Sequence, residues 1–276
     1  MPPNSLRNGL IKMEIILFLV AIFASTIGAI SGMGGGVIIK PVMDAVSGLG
    51  ASTISFMSCC TVLTMALVTY LRSIQSDIDL NYRTVIPLAI GGAIGGIAGK
   101  SMFAVVENSG NAALIQAAML LAVNIGVLLY VLNKSRIKRK ELKAMIPSFM
   151  IGLVLGGASS FLGIGGGPIN IAVISYFYSM PPKETAKHSL FIILFSQLTS
   201  LGATVFSGLP EFNPVALGLM CVGGVLGAVI GKQCSKMLSE RSVERLFTIV
   251  LIGLIALGCY NVYTFSGCSY FESVWV

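Results

Sequence analysis

Charged and hydrogen-bonding side chains are scarce in this chain, so those inside long apolar runs are the ones that could do chemistry. Lys40 and Asp44 stand four residues apart, which places them on one face of a helix. The ammonium there can pair with the carboxylate or face an anionic ligand, and an ionisable group inside a membrane segment is a functional candidate by default. Asp44 is the one carboxylate well inside an apolar segment, so a relay of carboxylates is excluded. His188, the single histidine, could exchange a coupling proton near neutral pH or be a plain interfacial residue. Ser58 and Ser189 recur 131 residues apart, and Thr61, Asn170, Ser196 and Gln197 add uncharged donors. Such groups line a polar cavity or bond neighbouring helices.

Two glycine triplets are the second kind of chemistry. Gly34, Gly35 and Gly36 follow Ser31-Gly32-Met33, and Gly165, Gly166 and Gly167 follow Leu162-Gly163-Ile164. Each glycine costs a helix about 1 kcal/mol relative to Ala, so both runs predict a helix break. Unpaired backbone within a bilayer is tolerated only where protein or a water-filled cavity buries it. A helix starting after the break offers free N–H groups and a partial positive charge, and Pro168 sits at the favoured first position of such a helix. Two such starts can seat an anion; the plainer reading is tight packing at a bend. Candidate substrate contacts are therefore Gly34, Gly35, Gly36, Lys40, Ser58, Thr61, Gly165, Gly166, Gly167, Asn170, Ser189 and Gln197, with Asp44 and His188 as coupling candidates.

A second glycine pattern recurs too. Gly91, Gly95 and Gly99 repeat every fourth residue before Lys100, as do Gly223, Gly227 and Gly231 before Lys232. This makes a smooth strip for close helix contact. Gly99-Lys100-Ser101 is not a phosphate-binding loop, because Ile94 stands where that loop needs glycine. No nucleotide-hydrolysing motif, cofactor site or metal-ligand cluster is expected. The cysteines contain no CxxC pair, and Cys59, Cys60, Cys221 and Cys259 lie in apolar runs, where Cys acts as a small hydrophobe.

The elements that position these residues follow from apolarity. Of 276 residues, 55% are hydrophobic and 11% charged, with mean hydropathy +0.89. A soluble domain carries about 25% charged residues, so lipid is the solvent that suits this chain. The net charge of +7 sits in short stretches between apolar runs rather than in a nucleic-acid-binding stripe. Eight long apolar segments are predicted near 13–32, 51–71, 84–106, 112–132, 144–163, 189–207, 214–231 and 246–265. Two short ones fall near 35–48 and 167–180, after the triplets. The motifs recur in one order, so the chain divides into a repeat at 13–132, a basic linker at 133–143, a second repeat at 144–265 and a tail at 266–276. The first segment has a counterpart at 144–163, which argues against a cleaved signal sequence.

Basic residues mark the cytoplasmic side. If the short segments do not count as crossings, 10 of 18 basic residues share one side, which is no bias; if they do, 14 of 18 share it. The second count predicts an all-α integral membrane protein of about ten membrane segments, arranged as two inverted five-segment repeats with short broken helices after the GGG motifs. It places the linker inside and both termini outside.

These residues resemble the TauE/SafE family of sulfite and organosulfonate permeases, also called the toluene-sulfonate-uptake permease family. The likeness is carried by Gly32-Met33-Gly34-Gly35-Gly36 leading to Lys40-Pro41, by Gly163-Ile164-Gly165-Gly166-Gly167-Pro168, and by Ala186-Lys187-His188-Ser189-Leu190 after the second short segment. Lys40 departs from the uncharged residue expected in many relatives. The resemblance implies movement of a small sulfur-containing or organic anion across a prokaryotic inner membrane without ATP. The expected partners are that anion, a coupling proton or sodium ion and the lipid bilayer; a homodimer is compatible with such a chain, and nucleic acid is not a partner. A passive anion channel and a permease for another small solute stay open as alternatives. An enzyme is not expected, since one His and one buried Asp make a poor catalytic set.

Overall fold

The computed structural model describes residues 4–74, 82–108, 110–134, 136–137, 142 and 144–272. Lys138, Arg139, Lys140 and Lys143 of the basic linker lie outside the described residues. The described residues form ten α-helices and no strand: α1 (Asn4–Ser31), α2 (Gly36–Val46), α3 (Ala51–Ile74), α4 (Tyr82–Glu107), α5 (Ala112–Asn133), α6 (Met145–Leu162), α7 (Gly167–Tyr178), α8 (Pro182–Ser207), α9 (Pro214–Met237) and α10 (Glu240–Glu272).

Eight helices are long and apolar enough to cross a membrane. The other two, α2 and α7, have 11 and 12 residues. At about 1.5 Å per residue they span roughly half of a ~30 Å hydrocarbon core. The ten expected segments thus divide into eight full-length helices and two half-length ones. Hydropathy placed two helix starts too late. Pro182 opens α8 and Glu240 opens α10, each about two turns before the apolar body, because their first turns carry polar and charged residues. Asn213 caps α9 by accepting from the N–H groups of Val215 and Ala216.

Contacts at the helix ends define two faces. On one, Asn213 donates to Glu14, Thr53 donates to the Glu211 carbonyl, and Phe56 packs on Phe212. This is termed the tail face, because α10 runs towards it. On the other, the linker face, Lys134 pairs with Glu244 at 2.9 Å, the Lys183 N–H donates to Glu240, and Leu142 N–H donates to the Phe177 carbonyl.

After α1 the chain doubles back. A side chain at Gly28 would strike Gly34 and Gly35, and one at Gly35 would lie against Ala24 and Ser25. The α2 helix therefore starts mid-bundle and returns to the tail face where α1 began. The α7 helix likewise returns to the linker face where α6 began; there the Tyr178 hydroxyl donates to Ser148 in the first turn of α6.

The two halves interlock. Gly91, Gly95 and Gly99 of α4 lie against the carbonyls of Phe149, Leu153 and Gly157 of α6. Gly223, Gly227 and Gly231 of α9 lie against those of Phe18, Ile22 and Thr26 of α1. The glycine strips are packing surfaces: only a missing Cβ lets the backbones come this close. Between them run α3 and α8, antiparallel. The Cys59 thiol donates to the Gln197 carbonyl at 3.7 Å; Ser55 shares a cavity with Thr204, and Ser73 shares another with Lys183.

Candidate functional site

Backbone conformation explains why glycine occupies the two breaks. Gly32 and Gly34 have φ of +77°, and Gly163, Gly165, Gly166 and Gly167 have φ of 65°, 72°, 111° and 62°. Glycine enters this region at little steric cost, so the chain can leave one helix, turn within a few residues and start another.

The breaks meet in the core. A side chain at Gly34 would lie 3.1 Å from the Gly165 carbonyl oxygen, and one at Gly36 would strike the Ile164 carbonyl. Val62 and Ile193, near the middles of α3 and α8, close over them: both contact the Gly34 position, Val62 contacts Gly165 and Gly36, and Ile193 contacts Gly166. The two half-helices therefore start side by side, with bulky apolar residues over their free ends.

Ser189 lies one turn from Ile193 and donates to the Gly32 carbonyl at 2.7 Å. Ser58, its counterpart one turn from Val62, is fully buried with no partner for its hydroxyl. Asn170, fully buried in the first turn of α7, has both amide atoms unpartnered, and its nitrogen abuts the Gly166 position. Ser25 was missed by sequence reasoning. It is buried, its hydroxyl is unpartnered, and it touches the Gly35 position; with Gly156 at the repeat-related position it carried no signal.

Other candidates fall elsewhere. Thr61 donates to its own helix at the Met57 carbonyl and packs under Gly224 of α9. Lys40 is 1% exposed and donates to both oxygens of Asp44 at 3.1 and 3.2 Å, so the structure gives its charge a protein partner. Asn261 of α10 donates to the neighbouring Pro41 carbonyl. His188 is fully buried near the start of α8, with its Nδ1 at 3.0 Å from the Glu184 carbonyl. Gln197 lies a turn beyond Ile193 with an unpartnered side-chain nitrogen.

Gln197 belongs to a small cavity towards the tail face, of about 10 Å³, lined also by Ser55, Cys59, Lys100, Ser160 and Thr204. A second cavity of about 120 Å³ lies towards the linker face, lined by Ala29, Ser73, Ala186, Leu190, Lys232 and Ser235 and also by Lys183, Lys187 and Lys236. Lys100 and Lys232 are the residues that end the two glycine strips.

Irregular backbone at the centre of a bundle of full-length apolar helices defines a class: a multi-pass membrane transporter. The chain belongs to the sulfite exporter TauE/SafE family, whose sequence model matches residues 17–258. It is 23% identical over 273 residues to the probable membrane transporter protein YunE of Bacillus subtilis (strain 168), covering 90% of this chain and 97% of that protein. No solved structure matches the chain.

Proposed function

We propose that this protein is a secondary transporter that carries a small anion, such as sulfite, an organosulfonate or a related sulfur-containing or organic acid, driven by an ion gradient. The observation that carries this reading is the meeting of two helix breaks amid buried, unpartnered donors. A buried polar atom without a partner calls for an explanation, and Ser25, Ser58 and Asn170 supply three such groups around glycine backbone. In this reading the anion replaces the apolar caps of Val62 and Ile193 when the site opens, and the first-turn N–H groups of α2 and α7 complete its shell.

The magnitudes fit a carrier. Each helix start contributes at most about 2 kcal/mol to a partly buried anion, so two give about 4 kcal/mol, equivalent to a dissociation constant near 1 mM. One or two charge-assisted hydrogen bonds at about 1.5–3 kcal/mol each bring the affinity to the micromolar range, tight enough to select and loose enough to release.

The repeats 13–132 and 144–265, joined by 133–143, form an inverted pair in this proposal. Support comes from α3 and α8, which hold equivalent positions in the repeats yet run antiparallel, and from the return of α2 and α7 to opposite faces. The basic residues then assign the linker face to the cytoplasm. With Asp44 held by Lys40, a coupling proton falls to His188.

Purified protein in proteoliposomes, loaded with radiolabelled sulfite under imposed proton or sodium gradients, tests the proposal. Saturable flux that responds to one gradient is expected. Flux that rises linearly with concentration and ignores both gradients identifies a passive pore and ends the transporter reading.

A further inference from the structure

The two lysine-lined cavities correspond at several lining positions. Shifting the tail-face lining by the repeat spacing turns Ser55 into Ala186, Cys59 into Leu190, Ser160 into Ala29, Thr204 into Ser73 and Lys100 into Lys232. Each lysine closes a glycine strip, so its backbone is fixed by the tightest helix contacts in the bundle. The volumes differ: about 120 Å³ on the linker face, and about 10 Å³, room for a single water, on the tail face.

We infer that the protein has two equivalent oxyanion stations, built on Lys100 at the tail face and Lys232 at the linker face, and that they open in turn on either side of the helix breaks. This rests on the transport reading above. The chemistry is that of a small oxyanion. No carboxylate lines either cavity among the described residues. At the tail-face station the hydroxyls of Ser55 and Ser160 and the Gln197 amide nitrogen are unpartnered, at 7%, 5% and 1% exposure. Lys100 lies 5.0 Å over the Phe103 ring, an orientation that leaves its ammonium outside any ion pair formed among the described residues. At the linker-face station Ser73 and Ser235 supply the hydroxyls, and Lys183, Lys187 and Lys236 add positive charge beside Lys232, which draws anions from that side. In this inference the larger linker-face volume is the open station and the smaller tail-face volume the closed one. The internal repeat then defines the opposite state, in which the volumes exchange.

The test has two arms. Lys100→Gln, Lys232→Gln and the charge-preserving Lys→Arg pair are reconstituted in phosphatidylcholine with fixed orientation, so that no anionic headgroup is present, and sulfite flux is measured from each face. Lys232→Gln is expected to raise KM at least tenfold from the linker face and less than threefold from the tail face, Lys100→Gln the reverse, with both Arg variants near the parent. Equal effects from both faces, no effect, or an effect seen only when anionic lipid is added overturns the inference while leaving the transporter intact. No flux of sulfite or methanesulfonate by the parent protein defeats the transport reading, and the anion assignment with it.

The second arm needs no flux. With the other cysteines replaced by Ala, Cys59 reports on the tail-face station, and Cys59→Ala/Leu190→Cys reports on the linker-face one. A charged, membrane-impermeant thiol reagent is expected to modify Leu190→Cys at least tenfold faster than Cys59, and methanesulfonate on the tail side to narrow that ratio. Equal, fast modification of both sites from their own faces overturns alternation.

Discussion

The buried pair Lys40–Asp44 gives the sharpest test of how charge is used in this bundle. At 3.1 Å and an effective dielectric of about 20, the attraction is about 5 kcal/mol, set against the cost of removing both ions from water. Removing one partner leaves the other charged and stranded, at a cost of about 3–5 kcal/mol. Replacing both with apolar residues of similar size is close to neutral. Lys40→Met and Asp44→Leu should therefore each lower the unfolding temperature in detergent by about 6–20 °C, and the double variant should return to within a few degrees of the parent. If Lys40 only balances Asp44, the folded double variant also keeps its substrate affinity within about threefold. The assay is a double-mutant cycle read by thermal unfolding, followed by substrate affinity on the variants that stay monodisperse. Additive losses in the double variant would refute the pairing argument. A recovered fold with a tenfold or larger loss of affinity would show that Lys40 faces the anion after all.

Three further outcomes follow from the geometry. Gly166→Ala should fold poorly, because φ is 111° there and the new methyl would sit 2.6 Å from both Asn170 and Ile193; the conformational strain alone is about 1–3 kcal/mol. Gly35→Ala should be milder, with nearest atoms at 3.2–3.3 Å, and size-exclusion profiles separate the two. Gly95→Leu and Gly227→Leu should abolish monodisperse expression, since each faces a carbonyl on the partner helix, whereas Gly218→Leu, with nothing within 4 Å, should express like the parent. Single cysteines at Ser207 and Ser239, both exposed and at opposite faces, should label from the outer and cytoplasmic sides respectively; labelling of both from one side contradicts the proposed topology.

Much of the fold is legible because lipid imposes a simple rule: about twenty apolar residues make a crossing. The breaks were legible too, since three successive glycines are costly within a helix. The two triplets nevertheless differ. Gly35 has ordinary helical backbone while Gly166 does not, and a run of identical letters cannot express that difference. Partner exchange between the halves was invisible, because a glycine strip says that something packs closely and not what. The spacing of Lys40 and Asp44 allowed either a pair or a lysine facing an anion, and the structure shows the pair. Lys100 and Lys232 did leave a signal in their shared place after the strips, but their cavities arise from helices distant in sequence.

The exchange of partners also dictates how this chain must be made. The face of α1 that carries Phe18, Ile22 and Thr26 is completed by α9, and α4 by α6. At about 5–20 residues per second, the ribosome takes on the order of ten seconds or more to reach α9 after α1 has emerged. During that wait this face of α1 lacks its protein partner, although α2 already packs against Ala24, Ser25 and Gly28 on α1. The first half can therefore complete only part of its native packing during synthesis, because the glycine-strip contacts of α1 and α4 need helices of the second half. A chain that stops between α8 and α9 leaves that face of α1 without its mate.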